Sequence, residues 1–89
     1  MVENDADHFI DITGEVCPLT FVKTKLKIEK MAVGQILEVR LKGSEPLRNV
    51  PRSAAELGHT IESLEREPGE AETGIHRLRL RKQAKSVKN

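Results

Sequence analysis

Cys17 is the only cysteine of the 89-residue chain, and Pro18 follows it directly. Proline is favoured at the first position of a helix because its missing N–H would have no partner there. Gly14 is typical of a turn after a short apolar strand. We therefore predict Cys17 at the N-cap of a helix, where unpaired backbone N–H groups and the positive end of the helix dipole favour thiolate over thiol. Cys17 is the candidate nucleophile of the chain.

The charges close to Cys17 in sequence leave its reactivity open. Asp11 and Glu15 would raise the pKa of the thiol if they point at the sulfur. Lys23 and Lys25 could offset them, or they could be ordinary solvated charges of a helix. Cys17 could also have one of two other roles. A free cysteine is often a small buried hydrophobe, and an exposed one can be a redox sensor that is oxidised.

Composition excludes several classes of function. The 15 basic and 14 acidic residues give a net charge of +1, so bulk charge does not argue for nucleic-acid binding. A single cysteine excludes an internal disulfide, a Cys-x-x-Cys redox pair and a cysteine-based zinc site. The three histidines lack metal-ligand spacing, and no phosphate-binding loop is present, so we expect no metal and no cofactor.

The sequence also predicts where the protein works. No apolar run is long enough to span a membrane, and the N-terminal residues are acidic rather than basic as a signal peptide would require. We expect a cytoplasmic protein with no membrane partner, in which a lone thiol stays reduced.

Hydrophobic periodicity predicts six elements in the order βαβαββ. They are strands at His8–Ile12, Gln35–Leu41, His59–Glu67 and Ile75–Lys82, and helices at Thr20–Met31 and about 51–57. This order indicates an α/β fold, a two-layer sandwich with two helices on one face of a four-stranded mixed sheet. We expect one domain over residues 8–82, a flexible N-terminus over 1–7 and a basic flexible tail over 83–89.

The first helix carries two apolar stripes. One contains Phe21 and Ile28 and is predicted to face the core. Leu19, Val22 and Leu26 form the other, which runs back toward Cys17. This second stripe could be a flank of the core or, if exposed beside a reactive sulfur, a docking surface for a partner protein.

The second helix is predicted to be short. Ser44 could cap an initial turn, but Pro51 disfavours the α conformation at Val50, so we expect a kink and then a helix that Gly58 terminates. Gly34 is expected to end the first helix in the same way.

The strands are predicted to have one covered face and one wet face. In the second strand, Glu38 alternates with leucine and valine and should lie on the wet face. In the third, the alternation breaks between Ile61 and Leu64, which indicates a β-bulge. The last strand places Arg77, Arg79 and Arg81 on the wet face, where they could be solvated or could contact RNA or protein, although no aromatic side chains are available to stack on bases.

The motif around Cys17 resembles a known family. The pattern Asp11-x-x-Gly14-x-x-Cys17-Pro18, followed by Lys23 and Lys25, is similar to the signature of the TusA/SirA sulfur-carrier family, and the similarity extends over about residues 9–82. Two departures stand out. The usual Cys-Pro-x-Pro is Cys-Pro-Leu-Thr here, and the common Asp-Pro before the second helix is replaced by Gly-Ser.

The resemblance implies the same βαβαββ architecture and a function in sulfur transfer. Cys17 would carry sulfane sulfur as a persulfide, and a lone cysteine suits this role because a nearby second thiol would discharge the persulfide as a disulfide. Donors would be cysteine desulfurases or rhodanese-like proteins, and acceptors DsrE-like proteins that feed tRNA thiolation, molybdenum cofactor assembly or sulfur metabolism. The predicted binding residues around Cys17 are Pro18, Leu19, Val22, Lys23 and Lys25. The rival prediction is a non-catalytic regulatory or RNA/protein-binding module in which Cys17 is inert.

Overall fold

The structure, a computed structural model, describes residues 6–16 and 18–84, and it has the predicted two-layer α/β architecture. Its elements are β1 (His8–Asp11), α1 (Leu19–Glu29), β2 (Ile36–Leu41), α2 (Ser44–Glu56), β3 (Thr60–Arg66) and β4 (His76–Arg81). The strands form one sheet in the order β1-β2-β4-β3. Strands β1 and β2 are parallel, whereas β4 is antiparallel to both of its neighbours. No helix in the described ranges is long and apolar enough to cross a membrane.

An aliphatic core lies between the sheet and the helices. Alternation places every second residue of β2 and β4 on the helix side, where they are fully buried. The apolar residues with no exposed surface in the described part of the chain are Leu37, Val39, Leu41, Val50, Ala54, Leu78 and Leu80. Ile28 and Met31 complete the core from α1 and the turn after it, and Phe21 packs partly buried against them. The predicted core stripe of the first helix is therefore confirmed.

Helix α1 begins at a different residue from the one predicted. Pro18 occupies the N-cap (φ −90°, ψ 5°), and no side chain caps the helix. The Pro18 carbonyl accepts the first helical hydrogen bond, from the N–H of Val22 at 3.1 Å. The prediction that Pro18 is the first helical residue and Cys17 the N-cap is thus wrong by one residue. Proline suits the N-cap too, because neither position needs its N–H.

Gly34 does not end α1 as predicted. The helix ends at Glu29 with Lys30 as C-cap. Gly34, at φ +92°, instead forms the tight turn that leads into β2, in which the N–H of Gln35 donates to the carbonyl of Ala32 at 3.1 Å. Glycine suits this turn because it adopts positive φ without strain.

Helix α2 is longer than predicted and runs without interruption through Pro51. Gly43 is the N-cap at φ +103°, so the predicted cap by Ser44 is wrong. A proline inside a helix costs about 3 kcal/mol through its lost hydrogen bond and its ring. Burial of Val50 and Ala54 offsets this cost. The burial comes from tertiary packing, which the local sequence does not show. The predicted stop at Gly58 is confirmed, because Gly58 lies at φ +98° directly after the helix.

The β3–β4 hairpin matches the sequence prediction, including the bulge. The register shifts between Ile61 and Ser63, so Glu62 is the extra residue. The exposed sheet face carries the arginines of β4 as predicted, but Glu38 on the same face is only 3% exposed, contrary to the prediction. Arg79 lies directly across from Glu38 in the β2–β4 register, and its Nε donates to the carboxylate at 3.0 Å. The arginine covers the glutamate, which is why it is buried.

Candidate functional site

The two helices begin at the same end of the molecule. Because β1 and β2 are parallel, the loops that follow them both emerge at the carboxyl ends of these strands. The first loop spans residues 12–18 and contains Cys17, and the second is the short 42–43 link into α2. The β3–β4 hairpin reaches the same end, where the N–H of Gly43 donates to the carbonyl of Thr73 at 2.9 Å. The carboxyl ends of parallel strands are the usual place for ligand sites in open α/β sheets.

Cys17 itself lies outside the described residues, so its role as the candidate nucleophile stays a prediction. Its neighbours in sequence are at the surface: Val16 is 71% exposed and Pro18 is also exposed. The N–H of Leu19 donates to the carbonyl of Val16 at 2.8 Å and so links the two sides of the cysteine position. The loop that carries the candidate nucleophile is a surface feature on both sides of it.

Asp11 is engaged by groups other than the cysteine loop. Its Oδ1 accepts hydrogen bonds from the N–H and hydroxyl of Thr13, at 2.9 and 2.7 Å, and its Oδ2 accepts one from Arg40 at 3.2 Å. These bonds, the backbone N–H of Thr13 first, lower the pKa of Asp11 from its usual value. The negative charge of Asp11 is therefore balanced by Arg40 and by the hydrogen bonds from Thr13.

Lys23 and Lys25, which could have offset the acids near Cys17, pair with different carboxylates. Lys23 reaches back to the cysteine loop, where its Nζ lies 2.5 Å from a carboxylate oxygen of Glu15. Lys25 pairs with Glu29 along the helix at 3.5 Å. Lys25 also lines a separate depression with Leu57, between the C-terminal parts of the two helices. Lys23 thus contacts the loop that precedes α1, whereas Lys25 pairs within the helix.

The second apolar stripe of α1 is exposed. Leu19, Val22 and Leu26 are 45%, 41% and 53% exposed, so they do not belong to the core. At 100° per residue the three side chains fall within about 60° of helix surface, next to Lys23. The stripe begins immediately after Pro18, and of the two sequence alternatives the structure excludes a flank of the core, while a docking role stays a prediction.

A shallow depression lies between the ends of the two loops and the hairpin. Val16 lines it from the cysteine loop, Lys42 and Glu45 line it from the β2–α2 region, and Thr73 lines it from the hairpin. Lys42 is not among the residues predicted from the sequence. Its position directly after β2 could have indicated it, because the loop after β2 and the loop after β1 emerge at the same end of the sheet.

The histidines have structural contacts. His8 bonds to the side chain of Gln35 at 2.8 Å, and His76 to the carbonyl of Gly74 at 2.8 Å. His59 accepts a hydrogen bond from the backbone N–H of Gln83 at 3.1 Å. Burial lowers the pKa of His59, and the positive charge of Lys82 lowers it further. Within residues 6–16 and 18–84, no cluster of His, Cys, Asp or Glu could hold a metal ion.

The arginines of β4 are paired with acids on the same sheet face. Arg77 lies 2.9 Å from Glu67, and Arg81 lies 2.8 Å from Glu62. Arg79 covers Glu38, as described above. The surface that could have been a basic RNA contact is therefore locally neutralised, which weakens the rival prediction of an RNA-binding module.

The fold places the chain in a structural class. The structure is similar to the crystal structure of a SirA-like protein from Desulfitobacterium hafniense, with a TM-score of 0.68 at 22% identity, covering 86% of this chain and 99% of that one. At this identity the similarity concerns the fold alone. The class that the fold defines is that of small two-layer α/β proteins.

Sequence comparison then gives the family. The profile of the family described as "Sulfurtransferase TusA" matches residues 8–82. An Archaeoglobus fulgidus protein named "Putative sulfur carrier protein" is 46% identical over 71 residues, which is 80% of each chain. A Thermotoga maritima protein of the same name is 36% identical over 76 residues, covering 85% of this chain and 95% of that one. YedF of Escherichia coli, also named so, is 33% identical over 55 residues, covering 62% and 71%. The chain belongs to the TusA family, and the resemblance seen in its sequence is confirmed.

Proposed function

We propose that this protein is a sulfur carrier that accepts sulfane sulfur as a persulfide on Cys17 and passes it to a partner protein. The observation that carries the proposal is the position of the chain's only cysteine. In sequence it falls between Val16 and Pro18, which are both exposed and belong to the connection that follows β1, in a chain that belongs to the TusA family. A carrier must present its sulfur to other proteins, and a surface loop permits this.

The chemistry needs two thiol exchanges and no external oxidant. In loading, the Cys17 thiolate attacks the outer sulfur of a donor persulfide. The donor's S–S bond breaks, the donor thiolate leaves, and Cys17 becomes a persulfide. In unloading, an acceptor thiolate attacks the outer sulfur of that persulfide, and the Cys17 thiolate leaves. Sulfur moves at a constant oxidation level, and only protons exchange with the solvent.

Docking is assigned to the face of α1 beside the cysteine. Pro18 and the exposed stripe formed by Leu19, Val22 and Leu26 offer an apolar surface that begins directly after Cys17 in sequence. Lys23 and Glu15 form its polar border. An interface of this kind suits a transient partner, because the partner covers the apolar area only while the sulfur is transferred.

The proposed donors are a cysteine desulfurase or a rhodanese-like protein, and the proposed acceptor is a DsrE-like protein. The destination of the sulfur, whether tRNA thiolation, molybdenum cofactor assembly or sulfur metabolism, depends on that acceptor. A transfer experiment tests the relay directly. Protein loaded with labelled sulfur and freed of donor should pass the label to a thiol of the acceptor, and Cys17→Ser should pass none. Label that stays on the loaded protein with every acceptor tested would contradict the relay.

The same samples distinguish a redox sensor. A sensor thiol would react with peroxide faster than with a persulfide donor, whereas a carrier shows the opposite order. Partner binding that survives in Cys17→Ser, together with absent sulfur loading in the wild type, would support the inert binding module instead.

A further inference from the structure

A second cavity lies at the end of the molecule opposite the loops that precede the helices. It is the depression between the C-terminal parts of α1 and α2, and we call it the helix-end cavity. Its volume is about 430 Å³, which is within the range of small-molecule sites. Because β3 and β4 are antiparallel, the residue before β3 and the residues after β4 meet at this end of the sheet and line the cavity as well.

Two aliphatic side chains line part of the helix-end cavity. Ile28 lines it from α1 and belongs to the core, whereas Leu57, the C-cap of α2, is 42% exposed. A ligand with an apolar body would cover the part of Leu57 that water now contacts, and this burial is favourable. The lining therefore favours a ligand with an apolar body over a bare inorganic ion.

The polar lining carries one positive charge that has no counter-charge. Lys25 and Glu29 pair with each other at 3.5 Å, so their charges cancel. Lys82 forms no ion pair in the part of the chain that the structure describes. Its Nζ donates to the carbonyl of Met31 at 2.6 Å, and an ammonium group has two further N–H donors. With His59 neutral, the lining has a net charge of +1.

His59 supplies a neutral hydrogen-bond donor to the same cavity. Its Nδ1 accepts the N–H of Gln83, so the neutral ring carries its proton on Nε2, which has no hydrogen-bond partner among the described residues. Burial, and then the charge of Lys82, lower the pKa of His59 and keep the ring neutral at pH 7. A carboxylate has one negative charge and two acceptor oxygens, so it can accept from Lys82 and His59 together.

We propose that the helix-end cavity binds a small carboxylate with an apolar body, whose charge lies against Lys82 and whose apolar part covers Leu57. The single negative charge matches the net charge of the lining, whereas a phosphate monoester carries nearly two at pH 7. Glu29 is the one acid in the lining and opposes the ligand, but its pairing with Lys25 limits the repulsion. This binding goes beyond the proposed sulfur transfer and needs neither Cys17 nor a sulfur donor.

The test is a titration of the isotope-labelled full chain with sodium octanoate at constant pH and ionic strength, followed by the NMR shifts of its amides. Octanoate is the probe because it combines one carboxylate with an apolar chain. The amides of Leu57, Lys82 and Gln83 should shift and saturate. The ring of His59 gives a second readout: the bound anion should raise its pKa, because a nearby negative charge favours the imidazolium. Octanol has the same chain without the charge and should bind about fivefold more weakly.

Substitutions separate the charged part of the site from the apolar part. Lys82→Met should raise the Kd of octanoate about fivefold, as expected for a partly exposed pair of opposite charges. Its matched control, Lys42→Met, removes the same charge at the other end of the sheet and should leave Kd unchanged. Glu29→Gln should lower Kd, because it removes the opposing charge. Leu57→Ser should raise Kd about fivefold, whereas Leu26→Ser, at a similarly exposed leucine outside the cavity, should not.

Three results would overturn the proposal: shifts that do not saturate, octanol binding as tight as octanoate binding, or equal losses of affinity in Lys42→Met and Lys82→Met. Circular dichroism shows whether each variant is folded. If Lys82→Met does not fold, Leu57→Ser and Glu29→Gln decide the question, since both residues are exposed. None of these measurements involves sulfur. A protein that binds octanoate and never loads sulfur would retain the helix-end site and refute the proposed function, and sulfur loading without octanoate binding would do the reverse.

Discussion

If the exposed stripe of α1 is the docking surface, shortening its side chains should weaken partner binding and leave the chemistry intact. Leu26 is 53% exposed and Val22 is 41% exposed, so about half of each side chain remains to be covered by a partner. Full burial of such a side chain is worth about 1.5–3 kcal/mol, and covering half of it therefore about 1 kcal/mol. That free energy corresponds to roughly a fivefold change in Kd.

The assay is the initial rate of sulfur transfer from a desulfurase or rhodanese to the carrier, measured as a function of carrier concentration. Leu26→Ser and Val22→Ser should each raise KM for the carrier about fivefold, while kcat stays within about twofold because neither side chain has a group that takes part in the sulfur exchange. Their free energies of unfolding should change by no more than about 0.5 kcal/mol, since both side chains are exposed.

Val33→Ser is the matched control. Val33 is 60% exposed but lies in the turn between α1 and β2, at the far end of the helix from Pro18. The control should leave KM unchanged. The reasoning is refuted if Val33→Ser raises KM as much as Leu26→Ser does, or if the stripe variants lower kcat at constant KM.

Two further predictions concern the scaffold. Arg40 and Arg77 lower the pKa of Glu67 to about 2, so this carboxylate contributes stability above pH 4.5 that is lost as pH falls toward 2. The urea midpoint of the wild type should therefore exceed that of Glu67→Gln at pH 6 and converge with it on acidification, and a constant difference would contradict the pairing. Gly58→Ala should lower the free energy of unfolding by about 1 kcal/mol because φ is +98° there. In Gly14→Ala an added Cβ meets no atom within 4 Å, so the change in urea unfolding should be small, and equal losses at the two glycines would refute the argument.

Most of the fold could be predicted because periodicity and burial agree. The alternation of β2 matches its fully buried Leu37 and Val39, and the break in alternation at Ile61 matches the bulge. The uninterrupted α2 could not be predicted, because the cost of Pro51 is local whereas the compensating burial of Val50 comes from tertiary packing. The burial of Glu38 also depends on register with β4, which sequence spacing does not provide.

The site was predicted in part, for a similar reason. Sequence spacing placed Lys23 and Lys25 two residues apart on one helix. It could not show that Lys23 forms an ion pair with Glu15 and Lys25 with Glu29. Lys42 is 25 positions from Cys17 in sequence. Only the parallel pairing of β1 and β2 places the loops that follow them at the same end of the sheet. Sequence spacing therefore could not predict which loops meet at the same end of the sheet.

The most direct test of the central claim is the intact mass of the reduced protein before and after incubation with a cysteine desulfurase, cysteine and pyridoxal phosphate, or with rhodanese and thiosulfate. The account predicts a gain of one sulfur atom that maps to the peptide containing Cys17, disappears on treatment with a reductant, and does not occur in Cys17→Ser. An unchanged mass with both donors, for a protein whose thiol still alkylates, would contradict sulfur carriage on Cys17.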